Sequence, residues 1–535
     1  MRISLVAILA FCFAGCTPQP ANEETSHLGT IEFTVTGNEK AQPHFKQGLL
    51  LLHSFEYQDA RKAFQKAREL DPNLAMAYWG EAMTYNHSLW GEQDYEAGIT
   101  ALQKLGQDDQ ARQGKAATPL EKDFLQAVGI LYQPGKSKSE RDQDYAAFME
   151  DLYKQYPDHQ EVAAFYALSL LGSTEKRDPA VYEQGATVAK RILDENATHP
   201  GALHYLIHSY DDPQHAFKAL EAANSYSVVA PDASHALHMP SHIYVALGMW
   251  DQVVASNVAS YQASVDKAEA EQKGNDGRSY HAFHWLQYGY LQQGHPQKAE
   301  ELLQKMQQYA AESPSPYARR HLAYMKGTYL VETDAWQSPW SSLDVDVADL
   351  NILVKALTHF TDGMAAYQSQ HPDGVQNAIT AIEDAIEKEA VRVQNQSIAT
   401  CSAITREVPS QLDLDYAQVM ALELKALRAM QQNDASETER WLQEAIALDE
   451  SISYSYGPPL IVKPTRELYG EWLLEAGQPE KALAQFEKGL ERAPKRVRLL
   501  KGQLTAAQAA GNDAVAKEVE RTLNETTDNS PASNI

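Results

Sequence analysis

The spacing of its apolar residues constrains this chain most. From about Pro43 almost to the end, hydrophobic side chains recur at intervals of three and four rather than two, the period of a helix with one buried face. Short clusters of Gly, Pro, Asp or Asn interrupt the pattern and separate helices of roughly 12–16 residues. Two stretches share the same punctuation. In residues 41–74, Gly48, Ala60, Phe64, Ala67 and Pro72 occupy positions 8, 20, 24, 27 and 32 of a 34-residue unit. In residues 463–496, Gly470, Ala482, Phe486, Gly489 and Pro494 occupy the same positions. Small residues let two paired helices approach, the aromatic fills the gap to the next pair, and the proline stops the second helix.

This punctuation resembles the tetratricopeptide repeat. The resemblance implies an all-α fold, a right-handed solenoid of helical hairpins, over residues 43–523. Weaker copies lie between the two full ones. Residues 75–111 carry an insertion after their first helix, 200–233 and 234–267 follow one another directly, and further units start near Tyr280 and Val419. Hydrophilic loops are expected at 107–118, 136–144 and 267–278, and a disordered tail at 524–535. No long linker divides the chain, so one continuous solenoid is expected.

The N-terminus indicates a destination. Met1 and Arg2 precede an apolar stretch, Leu5 to Ala14, too short to span a bilayer but right for a secretory signal. Phe13-Ala14-Gly15-Cys16 resembles the bacterial lipobox. That implies removal of residues 1–15 and acylation of Cys16, palmitate included. Two or three acyl chains suffice for stable anchoring. Thr17 after the cysteine favours the outer membrane, facing the periplasm. Residues 16–42 then form a tether with one possible short strand, Thr30 to Thr36.

The remaining composition excludes several classes. The three cysteines are Cys12 in the signal, Cys16 and Cys401, so neither an intramolecular disulfide nor a cysteine zinc cluster is expected. No role is assigned to Cys401. A net charge of −26 argues against nucleic acid and against adhesion to anionic lipid. Membrane contact is expected through the lipid alone.

Histidine placement carries the chemistry. With Pro231 at position 32, His204 and His208 occupy positions 5 and 9 of a first helix. His235, His238 and His242 occupy positions 2, 5 and 9 of the next, and His281 and His284 positions 2 and 5 of a third. Positions 2, 5, 9 and 12 form one stripe of a helix. Histidine is 18 of 535 residues. Seven of the twelve stripe positions in these units are histidine, where composition alone would put about 0.4. Neutral imidazole is the commonest protein ligand for transition metals, and the pairs His204/His208 and His235/His238 can each reach one ion. Asp211, at position 12, could ligate or orient a ring. Zinc, copper and iron are not distinguished by this spacing. A ligand-binding lining without metal, and simple core packing, remain open alternatives.

Other residues join as candidates. Glu467 and Glu471 occupy positions 5 and 9 of the last clear repeat, matching His204 and His208, and could be ligands or a base. Trp79, His87, Trp90 and Tyr288 are candidate groove lining, because aromatic bodies with polar tips suit a ligand surface. The blocks HFKQGLLLLHSFEYQDARKAFQKARELDP, AMAYWGEAMTYNHSLW, HPGALHYLIHSYDDP, SHALHMPSHIYVALGMWDQ and GPPLIVKPTRELYGEWLL are similar to a family of exported bacterial tetratricopeptide proteins. The resemblance implies fold, export and the histidine blocks, and no reaction. Two classes of function follow. One is a membrane-anchored scaffold whose concave groove binds a protein, peptide or small molecule around a histidine-held metal. The other is a metal-dependent hydrolase with Glu471 or Asp211 as base, or a metal storage or delivery protein.

Overall fold

The computed structural model describes residues 27–174, 176–391, 393, 409–454 and 457–527. Cys16 with the expected signal and anchor, Cys401, and the tail beyond Thr527 lie outside the described residues. Helices follow one another in hairpins from Gln42–His53 to Asp513–Thr527. The fold is a TPR-like helical solenoid.

The small-residue and aromatic positions work as their chemistry requires. A Cβ placed on Gly48 would come 2.8 Å from the Phe64 ring, and one on Gly80 would come 2.4 Å from it. Phe64 is therefore wedged between the first helices of consecutive pairs, Gln42–His53 and Ala75–Met83. Phe486 repeats the arrangement against Gly470 and Gly502, at 2.6 and 2.3 Å. Any side chain at these four glycines would push the stacked helices apart.

Two hydrophobic cores result. One gathers buried residues from Leu28 to Val253 and extends to Trp285 and Tyr288. The other runs from Tyr280 to Ala506. Helix Tyr280–Gln292 contributes to both.

The superhelix closes on itself in two places. At the first hairpin, the Glu56 carboxylate accepts from the His235 backbone N–H at 3.1 Å and pairs with Lys267 at 2.9 Å. Towards the end of the chain, the Trp250 indole donates to the Lys495 carbonyl at 3.1 Å, and Arg496 donates to the Tyr288 hydroxyl at 3.1 Å. The inner face of the histidine-bearing helices is consequently buried where an open concave groove was expected.

Local differences from the sequence reading have local causes. Residues from His27 are not a free tether. Leu28, Ile31 and Val35 are buried, and the Thr30 N–H reaches the Thr198 carbonyl at 3.0 Å, too isolated a bond to make the expected strand. The charged stretch 136–144 is mostly helix, because Ser137 and Glu140 form a reciprocal cap at the start of Lys138–Gln155. The first helix of the unit at 75–111 stops at Met83, and the insertion after it pairs Asn86–His87 antiparallel with Glu92–Gln93 around a tight turn. The final helix continues through Thr527, past the expected boundary at Asn524. Among the described residues, no helix is long and apolar enough to cross a membrane.

Candidate metal centre

The histidine stripe of the second unit is shared between two clusters. Helix Ser234–His238 is followed by helix Pro240–Ala246, and Pro240 has no N–H to donate. The His242 N–H turns to Met239 O at 3.1 Å, and the Ser241 hydroxyl takes up the His238 carbonyl at 2.6 Å. His235 and His238, both before Pro240, meet different neighbours, their ring centroids 6.2 Å apart. His235 joins His204 and His208, while His238 and His242 join His281.

Two trios result, each with ligand nitrogens within 4.8 Å of one another. In the first, the Nε2 atoms of His204 and His208 are 3.1 Å apart, and the His235 ring lies 5.1 Å from that of His204. In the second, His238 Nε2 lies 3.2 Å from His242 Nε2 and 3.0 Å from His281 Nε2. The trios adjoin through His208 and His242, whose centroids are 5.8 Å apart. An aromatic ring roofs each one. Phe55 lies 4.3 Å from His204 and 5.7 Å from His235. Trp285 lies 4.7, 4.6 and 5.4 Å from His238, His242 and His281.

Partners on the far side of the rings fix which nitrogen carries hydrogen. His204 Nδ1 lies 2.7 Å from the His53 carbonyl, which can only accept, so Nδ1–H donates and Nε2 holds a lone pair. His238 Nδ1 donates to Asn257 Oδ1 at 2.7 Å, and Asn257 is oriented by its own Nδ2 donating to the Val253 carbonyl. His242 Nδ1 donates to the Asp211 carboxylate at 2.5 Å. The Nε2 lone pairs of His238 and His242 therefore face each other at 3.2 Å. Two acceptors at that distance repel unless a cation lies between them. His235 Nε2 is also buried without a hydrogen-bond partner.

A proton on His238 is a poor candidate for that cation. Burial pushes His204, His208, His235 and His281 well below the ordinary imidazole value, and neighbouring rings push the same way. Burial, then His242, takes His238 down to about 3. Burial raises Asp211 above the ordinary carboxylate value, opposed by His242. Neutral rings with inward lone pairs, held from behind by a carbonyl, an amide and a carboxylate, are the donor set a transition metal requires.

A third group, His53, Glu161 and His199, is also fully buried but differently built. His53 Nε2–H and His199 Nε2–H donate to the two oxygens of Glu161 at 2.7 and 3.2 Å. The Tyr205 hydroxyl donates to His53 Nδ1, and His199 Nδ1 accepts the Ala202 N–H. Every ring nitrogen has a protein partner. The histidines hold Glu161 well below the ordinary carboxylate value despite its burial. Sequence reading missed this group, although His199 opens the HPG block.

The other candidates lie elsewhere. His284 lies outside the array, 3.4 Å from the Thr328 hydroxyl and beside His321 and Tyr324, because the three-residue step from His281 to the next stripe position carries it into the neighbouring layer. Glu467 and Glu471 do not meet the histidines. Glu467 is buried among Lys463, Arg496 and Arg498, and Glu471 is bonded to Lys463 and Arg498. Trp79 is core, packed on Phe124 and Phe165. His87 stacks on Tyr57 at 4.0 Å, one layer outside the array, with Trp90 between it and His235. Tyr288 borders a cavity of about 100 Å³ that it shares with Trp250 and Tyr454.

Comparison with known proteins agrees with the repeat. A tetratricopeptide-repeat family model matches residues 41–74. No curated protein sequence matches the chain. Solved structures similar to it include the human IFIT1 dimer with m7Gppp-AAAA, at 12% identity and TM-score 0.34, covering 92% of this chain and 91% of that one. Another is yeast Tom70, at 13% identity and TM-score 0.33, covering 90% and 99%. A third is the APC/C hetero-tetramer Cut9-Hcn1, at 12% identity and TM-score 0.36, covering 92% and 78%.

Proposed function

We propose that the chain is an envelope-anchored, periplasm-facing scaffold of stacked hairpins built around a transition-metal site of six histidines, His204, His208, His235, His238, His242 and His281. The observation that carries the metal is the pair of Nε2 lone pairs on His238 and His242, facing each other at 3.2 Å with both Nδ1–H groups committed elsewhere. Tetrahedral imidazole ligands about 2.0 Å from an ion stand about 3.3 Å apart, so little movement is needed to bind one. The anchor rests on the Ala14-Gly15-Cys16 sequence. A protein or peptide partner suits the outer surface of a solenoid, since the inner face at this level is filled.

The hydrolytic reading loses its bases. Glu471 is bonded to Lys463 and Arg498, and Asp211 orients His242. Elemental analysis of the full-length chain purified without chelator tests the proposal. Stoichiometric transition metal is expected in the wild type, and a lower metal content in His238→Ala. Absence of metal from the wild type would leave a metal-free polar interior.

A further inference from the structure

Resting on that reading, we infer that the array is a two-centre site and that its ions are copper, monovalent in the reduced protein, one in each trio. Three neutral nitrogens per ion form a complete set for a three-coordinate ion. The two sets adjoin along both edges, through His208 and His242 at 5.8 Å and through His235 and His238 at 6.2 Å. They are therefore parts of one site rather than two separate ones.

Charge selects the ion. All six donors are imidazoles, which ligate a metal in the neutral form. Asp211 reaches the array through His242, and Glu161 stands further back, behind His53. Two divalent ions would bring four positive charges into this buried space, against two for a monovalent pair. The cost of burying an ion rises with the square of its charge, about fourfold per ion here. Among the metals that imidazole suits, zinc, copper, iron and nickel, copper is the one with an accessible monovalent state. His235 and His281, one in each trio, are the least buried residues of the array.

The test uses the full-length chain in detergent, loaded with Cu(I) under argon, desalted and analysed for copper. Dioxygen is then admitted as oxidant and the Cu(II) spins are counted by electron paramagnetic resonance. Two coppers per chain are expected, with a spin count far below the copper count because adjacent oxidised ions couple. His235→Ala and His281→Ala, at the least buried members of the two trios, should each keep one copper with its full spin count. Circular dichroism establishes that each variant is folded; if one is not, the wild-type stoichiometry and spin count decide. One copper per chain, or two with the full spin count, would overturn the coupled pair while leaving the transition-metal reading intact. Binding of zinc in preference to Cu(I) would overturn the copper assignment alone. No stoichiometric metal of any kind would overturn both readings.

Discussion

Two buried histidine groups lie one residue layer apart and behave oppositely. Around Glu161, His53 and His199 spend every ring nitrogen on a protein partner, and a single carboxylate binds them together. Around His238, the outward nitrogens of His238 and His242 are satisfied while the inward ones confront one another. Both are built around largely buried imidazoles. The difference is hydrogen-bond accounting, because a buried polar atom without a partner costs stability that something must offset. The first group is a strut and the second a socket. The two are joined through the His53 backbone, whose carbonyl orients His204.

Breaking the strut should produce the largest effect. Glu161→Ala leaves two buried imidazole N–H groups unpaired, and denaturant unfolding should show a loss of about 3–5 kcal/mol. Its metal content, measured on the folded fraction, should match the wild type, since the carbonyl that orients His204 belongs to the backbone. Coupled loss of metal would erase the distinction.

Glu467 extends the comparison to a strut made of ions. Arg496, Lys463 and Arg498 hold it below its ordinary value of 4.5, against the upward push of burial. A carboxylate depressed in the folded state takes up its proton later than in the unfolded chain. Its contribution is therefore present above pH 4.5 and declines as pH falls further. Glu467→Gln should cost about 2–3 kcal/mol at pH 7 and less in acid, as read from urea midpoints at the two pH values. An equal cost at both would show that the ion pairs contribute nothing.

The socket is sharpened by changing what stands behind it. Asn257→Ala removes the acceptor that keeps hydrogen on His238 Nδ1, and should weaken metal binding about 10–100-fold. Metal titration reads this directly, and an unchanged affinity would mean that the tautomer does not matter. Gly457 provides the smallest test. It has φ +86°, and a Cβ there would meet the Trp285 ring at 2.1 Å. Gly457→Ala should cost about 1 kcal/mol and disturb the second trio, under Trp285, while sparing the first under Phe55. Thermal unfolding and metal stoichiometry separate the two outcomes.

Much of this was legible in residue order, and the remainder was not for physical reasons. The hairpin pattern at 41–74 and 463–496 needs only neighbours within a unit, so Gly48, Phe64, Gly470 and Phe486 can be read directly. The histidine stripe is equally local, and six of its seven members converge. His284 fails because a stripe is broader than a site. Glu467 and Glu471 have the right register, but Arg496 and Arg498, some thirty residues on, reach them first. The strut could not be anticipated, because Glu161 is brought to His53 by closure of the superhelix, across 108 residues. The division of the stripe into two trios required the fold, because His204, His208 and His281 come from other helices.

The account stands on the identity of the atoms that hold the metal. Metal-edge X-ray absorption of the loaded full-length chain measures this most directly. An inner shell of imidazole nitrogens alone, at about 2.0 Å, is the predicted result. A shell dominated by carboxylate or water oxygens, or by sulfur, would contradict it and place the ion somewhere other than between these rings.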